Sequence, residues 1–160
     1  MTGLSFSSLI WFVLACAAAA APGVFFRPGQ WYRDLVKPDW RPPDWLFGPV
    51  WLVLYLSIAV SGWLVLESAP GDAARPALTV YAVQLVLNGL WSCIFFGLKR
   101  PGWALAEICL LWLSIVATIA AFWPLHQTAA LLLLPYLAWV SFAVLLNLSI
   151  WRLNPERSSP

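Results

Sequence analysis

The chain has 160 residues, of which 62% are hydrophobic and only 10% charged, with a formal net charge of +2 and a mean hydropathy of +0.80. No water-soluble packing of this length could hide so much apolar surface, so the chain is expected in a lipid bilayer, with no nucleic-acid partner. Its three cysteines, an odd number with no CxxC or Cys/His pairing, offer neither a disulfide framework nor a metal site, and no cofactor is required by the pattern.

A spanning helix needs about 20 mostly apolar residues, because roughly 30 Å of hydrocarbon is crossed at about 1.5 Å per residue. Five segments meet this. The first runs from about Leu4 to Ala21 and is closed by Pro22-Gly23. Its alanine run, Ala17 to Ala21, is like the small-residue region before a signal-peptidase site, but no Lys or Arg precedes it, and it reads as a retained helix. Between the first and second segments, the stretch Trp31 to Trp51 holds four of the twelve tryptophans, interleaved with prolines and charges. Such amphipathic rings suit an interface or an apolar ligand site, and the stretch reads as a shaped lid. The second segment covers about Trp45 to Leu66, closed by Glu67 and a Pro70-Gly71 turn, and the third about Pro76 to Leu98, stopped by Lys99, Arg100, Pro101 and Gly102. The fourth covers about Trp103 to Trp123, ended by Pro124 and His126, and the fifth about Thr128 to Trp151. The expectation is an all-α fold, a five-transmembrane-helix bundle forming a single membrane domain over residues 1–160, with the Trp/Pro-rich lid between helices one and two. A β-barrel is excluded because the apolar runs are continuous instead of alternating.

Eight of the nine basic residues fall on one side of this topology: Arg27, Arg33, Lys37, Arg41, Lys99, Arg100, Arg152 and Arg157, against Arg75 alone. In a bacterial inner membrane the positive-inside tendency places the lid and the C-terminus in the cytoplasm and the N-terminus outside. An outer-membrane location, which escapes that rule, is the alternative.

Within the spans, polar residues give direction. Gln84, Asn88, Trp91 and Phe95 share one face of the third helix, and Trp139, Ala143 and Asn147 share one face of the fifth. Amides cannot be left unpaired against lipid, so both faces must look into the bundle, either as interhelical glue or as the floor of a ligand cavity. Spacing alone favours glue. Trp51 and Tyr55 share a face of the second helix, where Ser57, Ser61 and Gly62 allow close helix approach; Ala17 with Ala21, and Gly89, are further small-residue surfaces. Glu107 is the acid well inside a span, about one turn into the fourth helix, and is expected to reach back toward Lys99 or Arg100 or to stay protonated. His126 reads as a solvated loop residue sooner than a haem ligand, and Cys16, Cys93 and Cys109 as buried small hydrophobes. No catalytic constellation or Gly-rich phosphate loop is present, so the chain reads as a binder or conduit.

One set of motifs carries a resemblance. Trp31-Tyr32, Leu35, Lys37-Pro38, Trp40, Pro42-Pro43, Trp45, Gly48-Pro49-Val50-Trp51 and Tyr55 resemble the signature of the tryptophan-rich sensory protein and translocator protein family, the peripheral benzodiazepine receptors. The likeness continues through Gln84-Leu85, Asn88, Trp91, Phe95-Phe96-Gly97, Gly102-Trp103-Ala104-Leu105, Pro135-Tyr136-Leu137-Ala138-Trp139, Ala143, Leu146-Asn147 and Trp151-Arg152. It covers nearly the whole chain. The resemblance implies a five-helix bundle, often a homodimer, that binds porphyrins and other tetrapyrroles, cholesterol and synthetic drugs in a pocket covered by the first loop. It further implies ligand contacts at Tyr32, Trp51, Asn88, Trp91, Trp103, Trp139, Ala143 and Asn147, which moves the two inward faces from glue toward cavity.

The chain departs from animal members where a cholesterol-recognition element expects tyrosine before Arg152: Leu148 stands there. A bacterial-type member handling porphyrin or haem-type ligands, in translocation or sensing, is therefore expected. Two other functions stay open: an enzyme that breaks porphyrin down in light, with Trp51 and Trp139 as catalytic candidates, and a membrane scaffold whose partner contacts respond to ligand.

Overall fold

The computed structural model describes residues 6–69 and 71–155, and among them five helices are long and apolar enough to cross a membrane. Leu4, Pro70 and Arg157, which figured in the expected first helix, second turn and basic tail, lie outside the described residues.

Helix α1 (Phe6–Phe25) runs through Pro22 and continues a turn beyond the expected stop. Proline deletes one helical N–H, but its own carbonyl still accepts the amide of Phe26 at 2.8 Å, so the ladder resumes. The lid contains a single turn, α2 (Gln30–Arg33). Helix α3 (Asp44–Ser68) starts after the extended Pro43. A 3₁₀ turn at Gly71–Ala73 leads into α4 (Arg75–Ser92), which runs on as a π turn over Cys93–Gly97. Lys99 then takes a left-handed conformation, φ 56°, and reverses the chain into α5 (Pro101–Phe122), whose first residue, a proline, has no N–H to leave unpaired.

The fifth span is not continuous. It divides into α6 (Gln127–Leu132) and α7 (Leu134–Leu153). Pro135 has no N–H to offer the carbonyl one turn back, and the Leu133 amide tightens onto Ala130 at 3.1 Å instead. His126 is not a free loop residue: its Nδ1 accepts the Ala129 amide at 3.1 Å and caps α6.

Helix α5 packs along α4 and α7, α1 lies against α3 and α4, and α6 fills between α3 and α5. Close approach is purchased with small residues. A Cβ on Gly62 would sit 2.7 Å from the Phe12 ring and 2.8 Å from that of Tyr81, so only hydrogen fits where α1, α3 and α4 meet. A Cβ on Gly89 would meet the Ala19 carbonyl at 3.1 Å; the small-residue face of α4 is taken by α1 and is not an outward dimer surface. Side-chain bonds cross-tie the spans: Ser8 to Glu67 at 2.6 Å, Ser61 to the Ala129 carbonyl at 2.7 Å and the Trp112 indole to Ser141 at 2.8 Å.

Two buried clusters result. A large central one includes Ile58, Tyr81, Ile108, Leu111, Ile115, Phe122 and Tyr136, and a smaller one under the lid joins Tyr32, Leu35, Phe95, Ala104, Leu146 and Ile150. Of the cysteines only Cys16 is buried; Cys93 is half-buried and Cys109 lies on the outer surface of α5, where an apolar thiol faces lipid at little cost.

Candidate ligand-binding site

The lid is fixed at two points. The Asn154 side chain at the end of α7 accepts the Val36 amide at 2.9 Å and donates to the Val36 carbonyl at 2.9 Å, pairing with it as a neighbouring strand would. Asn154 also donates to the Ile150 carbonyl at 2.7 Å, which orients the amide. The second point is Tyr32, whose ring packs edge-on against Phe95 and Phe96 at 6.1 and 5.4 Å. Arg41 donates to its hydroxyl at 3.4 Å and pairs with Asp44, and the Lys37 ammonium lies 4.8 Å from its ring centroid while bonding the carbonyls of Arg33 and Leu35. Burial pushes the Tyr32 phenol above its ordinary range, against the opposing pull of Arg41. Burial, aided by the Arg41 charge, lowers the Lys37 ammonium. Burial works against the Arg41 charge too, but its bonds to Asp44 and Tyr32 outweigh this and raise it.

Beneath the lid, three helices are joined by amide groups. Tyr55 donates to Asn88 Oδ1 at 2.6 Å, and Asn88 Nδ2 donates to the Tyr136 hydroxyl at 2.8 Å, linking α3, α4 and α7. The Trp91 indole donates to Asn147 Oδ1 at 3.1 Å, and Asn147 Nδ2 donates to the Pro101 carbonyl at 2.8 Å, linking α4, α7 and the start of α5. Both asparagines therefore hold helices together, and in doing so they fix the rings around them. Trp51 lies 5.3 Å from Tyr55 and 6.3 Å from Tyr136, Trp91 stacks on Phe95 at 5.0 Å, and Trp139 contacts Phe47 and Phe142 at 5.6 and 5.5 Å. Trp40 carries this aromatic series into the lid through Phe142 at 5.6 Å. The rings of Trp51, Trp91 and Trp139, with Ala143, are only half-buried, so part of each remains uncovered by the protein.

The structure brings Tyr32, Trp51, Asn88, Trp91, Trp139, Ala143 and Asn147 to the lid and the helix faces below it. Trp103 is not among them. It is 71% exposed on an outer stripe of α5 with Leu110 and Leu113, because the next residue, fully buried Ala104, takes the inward position. Glu107 makes no ion pair with Lys99 or Arg100: it is buried, and neither carboxylate oxygen has a hydrogen-bond partner; both side-chain atoms of buried Gln84 are likewise without one. Sequence reasoning passed over Tyr136 and Asn154 as site-forming residues. Tyr136 stood in the quoted Pro-Tyr-Leu-Ala-Trp motif, whereas nothing local to Asn154 marks its pairing with a residue 118 positions away.

A model of the TspO/MBR family matches residues 11–152. The chain belongs to the TspO/MBR family. It is 43% identical over 145 residues to "Protein CrtK" of Rhodobacter capsulatus, covering 90% of this chain and 91% of that protein. It is 40% identical over 146 residues to the "Tryptophan-rich sensory protein" of Cereibacter sphaeroides, covering 91% and 90% of the two chains. Over 148 residues it is also 40% identical to the human "Translocator protein", covering 89% and 88%. Family membership and five spanning-length helices together make it an integral multi-pass membrane protein, in contact with the bilayer. Among the described residues no cluster of His, Cys, Asp and Glu could hold a metal ion.

Proposed function

We propose that this TspO/MBR protein binds flat, apolar porphyrin or related tetrapyrrole ligands in the aromatic cluster under the lid, in a translocating or sensory role. The observation that carries the reading is the set of half-buried indoles: Trp91 bonded to Asn147, Trp51 packed on the Tyr55 and Tyr136 rings that Asn88 ties together, and Trp139 packed on Phe47 and Phe142. Indole faces suit a macrocycle, and the Lys37 and Arg41 cations at the mouth suit its carboxylates. Tyr32 closes the wall from the lid, Ala143 leaves the notch, and Trp103 plays no part. The relatives named for translocation and tryptophan-rich sensing support the role. The reading extends to a homodimer in a bacterial inner membrane, with lid and C-terminus cytoplasmic as the basic residues favour. For the dimer, the exposed Ala17 and Ala18 of α1 remain after α1 has covered Gly89.

The test is titration of the detergent-solubilised protein with protoporphyrin in the dark, following tryptophan fluorescence. Saturable quenching near a micromolar, about 8 kcal/mol, is expected. Ala143→Leu, which fills the notch, abolishes it, and Trp139→Phe weakens it. Linear quenching unaffected by either substitution rejects the site. Repeating the titration in light separates a binder from an enzyme, since only the latter consumes the porphyrin.

A further inference from the structure

Among the described residues two buried polar side chains, Gln84 and Glu107, have no hydrogen-bond partner, and Glu107 is the one able to carry a charge. Tyr55, Asn88, Tyr136, Trp91 and Asn147 are all hydrogen-bonded. Glu107 is 5% exposed, both of its oxygens lack a donor, and the ion pairs Arg41–Asp44 and Arg75–Asp72 lie elsewhere. Its position on α5 is informative. Ala104, one turn before it, belongs to the cluster under the lid, and Ile108 and Leu111 just after it belong to the central cluster. Trp91 packs against both clusters. Tyr136, the ring that accepts from Asn88 and packs edge-on to Trp51, belongs with Ile108 and Leu111 to the central cluster. The acid thus sits on α5 between residues of the two clusters that Trp91 joins.

A buried carboxyl without donors destabilises a fold, and an apolar side chain of similar volume would pack there at lower cost. What the position does offer is a strong acceptor in a low-dielectric setting, waiting for a group that brings its own donors.

We infer that Glu107 is the acceptor for a nitrogen-borne donor of the ligand, an ammonium or N–H group carried on an aromatic scaffold whose ring lies against Trp51 and Trp91. The inference rests on the aromatic cluster being the binding site, and it adds a chemical requirement: an aromatic ligand with such a donor is preferred to a hydrocarbon of the same shape.

The experiment uses naphthylmethylammonium and neutral ethylnaphthalene, each measured by equilibrium dialysis against the intact solubilised protein, beside the protoporphyrin titration. The wild type is expected to bind the ammonium probe at least about tenfold more tightly, the scale of a charge-assisted hydrogen bond. Glu107→Gln should bring the two probes within about twofold of each other while leaving ethylnaphthalene binding unchanged. Glu107→Leu should lose the preference as well and melt no lower than the wild type; if that variant fails to fold, the Gln variant decides alone. Equal binding of both probes by the wild type, or a preference that survives Glu107→Gln, overturns the inference. Should protoporphyrin bind and depend on Ala143 while the probes are not distinguished, only the role of Glu107 falls. If neither porphyrin nor probes bind, the aromatic site falls with it.

Discussion

Replacing Asn154 by alanine removes at least three hydrogen bonds, two of which tether the lid through the Val36 amide and carbonyl. A net contribution of about 1 kcal/mol for each tether puts the lid's opening free energy lower by about 2 kcal/mol. At about 1.4 kcal/mol per factor of ten, the open population rises roughly thirtyfold, less whatever the part-buried Val36 peptide regains from water. Limited trypsin digestion reads that population as long as the lid recloses faster than it is cut. Arg27, Lys37 and Arg41 each precede a proline, a bond trypsin leaves intact, so Arg33–Asp34 is the reporter within the lid. Cleavage there should accelerate by roughly ten- to thirtyfold while the melting temperature moves by only a few degrees, because the bundle beneath is untouched. Asn154→Asp keeps the acceptor and loses the donor, and should fall between. An unchanged rate at Arg33, or an equal acceleration at Lys99–Arg100, would refute the latch.

Gly62→Ala places a methyl group against the Phe12 and Tyr81 rings and should lower stability by about 1–3 kcal/mol in thermal unfolding, whereas Gly48→Ala, whose Cβ meets nothing within 4 Å, should be neutral or stabilising. The reverse order would sink the packing argument. Trp103→Phe should leave the porphyrin titration unchanged and should remove only a part of the quenching produced by brominated acyl chains, since Trp11 and Trp45 are as exposed; a loss of binding would place Trp103 in the site after all. Because burial raises the Tyr32 phenol, the folded lid favours the neutral form. That stabilisation is fully present below the usual tyrosine value near pH 10 and is lost as pH rises through the raised one. The phenolate absorbance difference between wild type and Tyr32→Phe should therefore emerge only above about pH 10; a normal titration midpoint would contradict the burial argument.

Helix count and the polar faces were legible because bilayer physics leaves strong marks: long apolar runs, and amides that must turn inward. Asn88 and Asn147 were found by that rule, and both make the interhelical bonds it requires. Apolar positions carry no such mark. Lipid and core are equally apolar, so nothing in residue type separates Trp103, which points out, from Trp91, which points in. The same blindness left Cys109 assigned to the interior. The two prolines act in opposite ways that residue type does not separate: α1 continues past Pro22, where Pro-Gly reads as a stop, and the fifth span breaks beside Pro135, within a run that reads as one helix. Glu107 was expected to reach a surface cation, but its place on the buried face of α5 between Ala104 and Leu111 keeps it inside.

The tether between Val36 and Asn154 also orders the protein's assembly. Its two ends lie 118 positions apart, so during synthesis the lid segment emerges after the first span, while its anchor emerges only after the last. The Tyr32 contacts with Phe95 and Phe96 can form once α4 has emerged, whereas the Asn154 tether and the ring contacts with Trp139 and Phe142 must wait for the last span. The lid is therefore pinned in two parts of the chain's history, at Tyr32 by a helix already made and at Val36 only by the end of the last one.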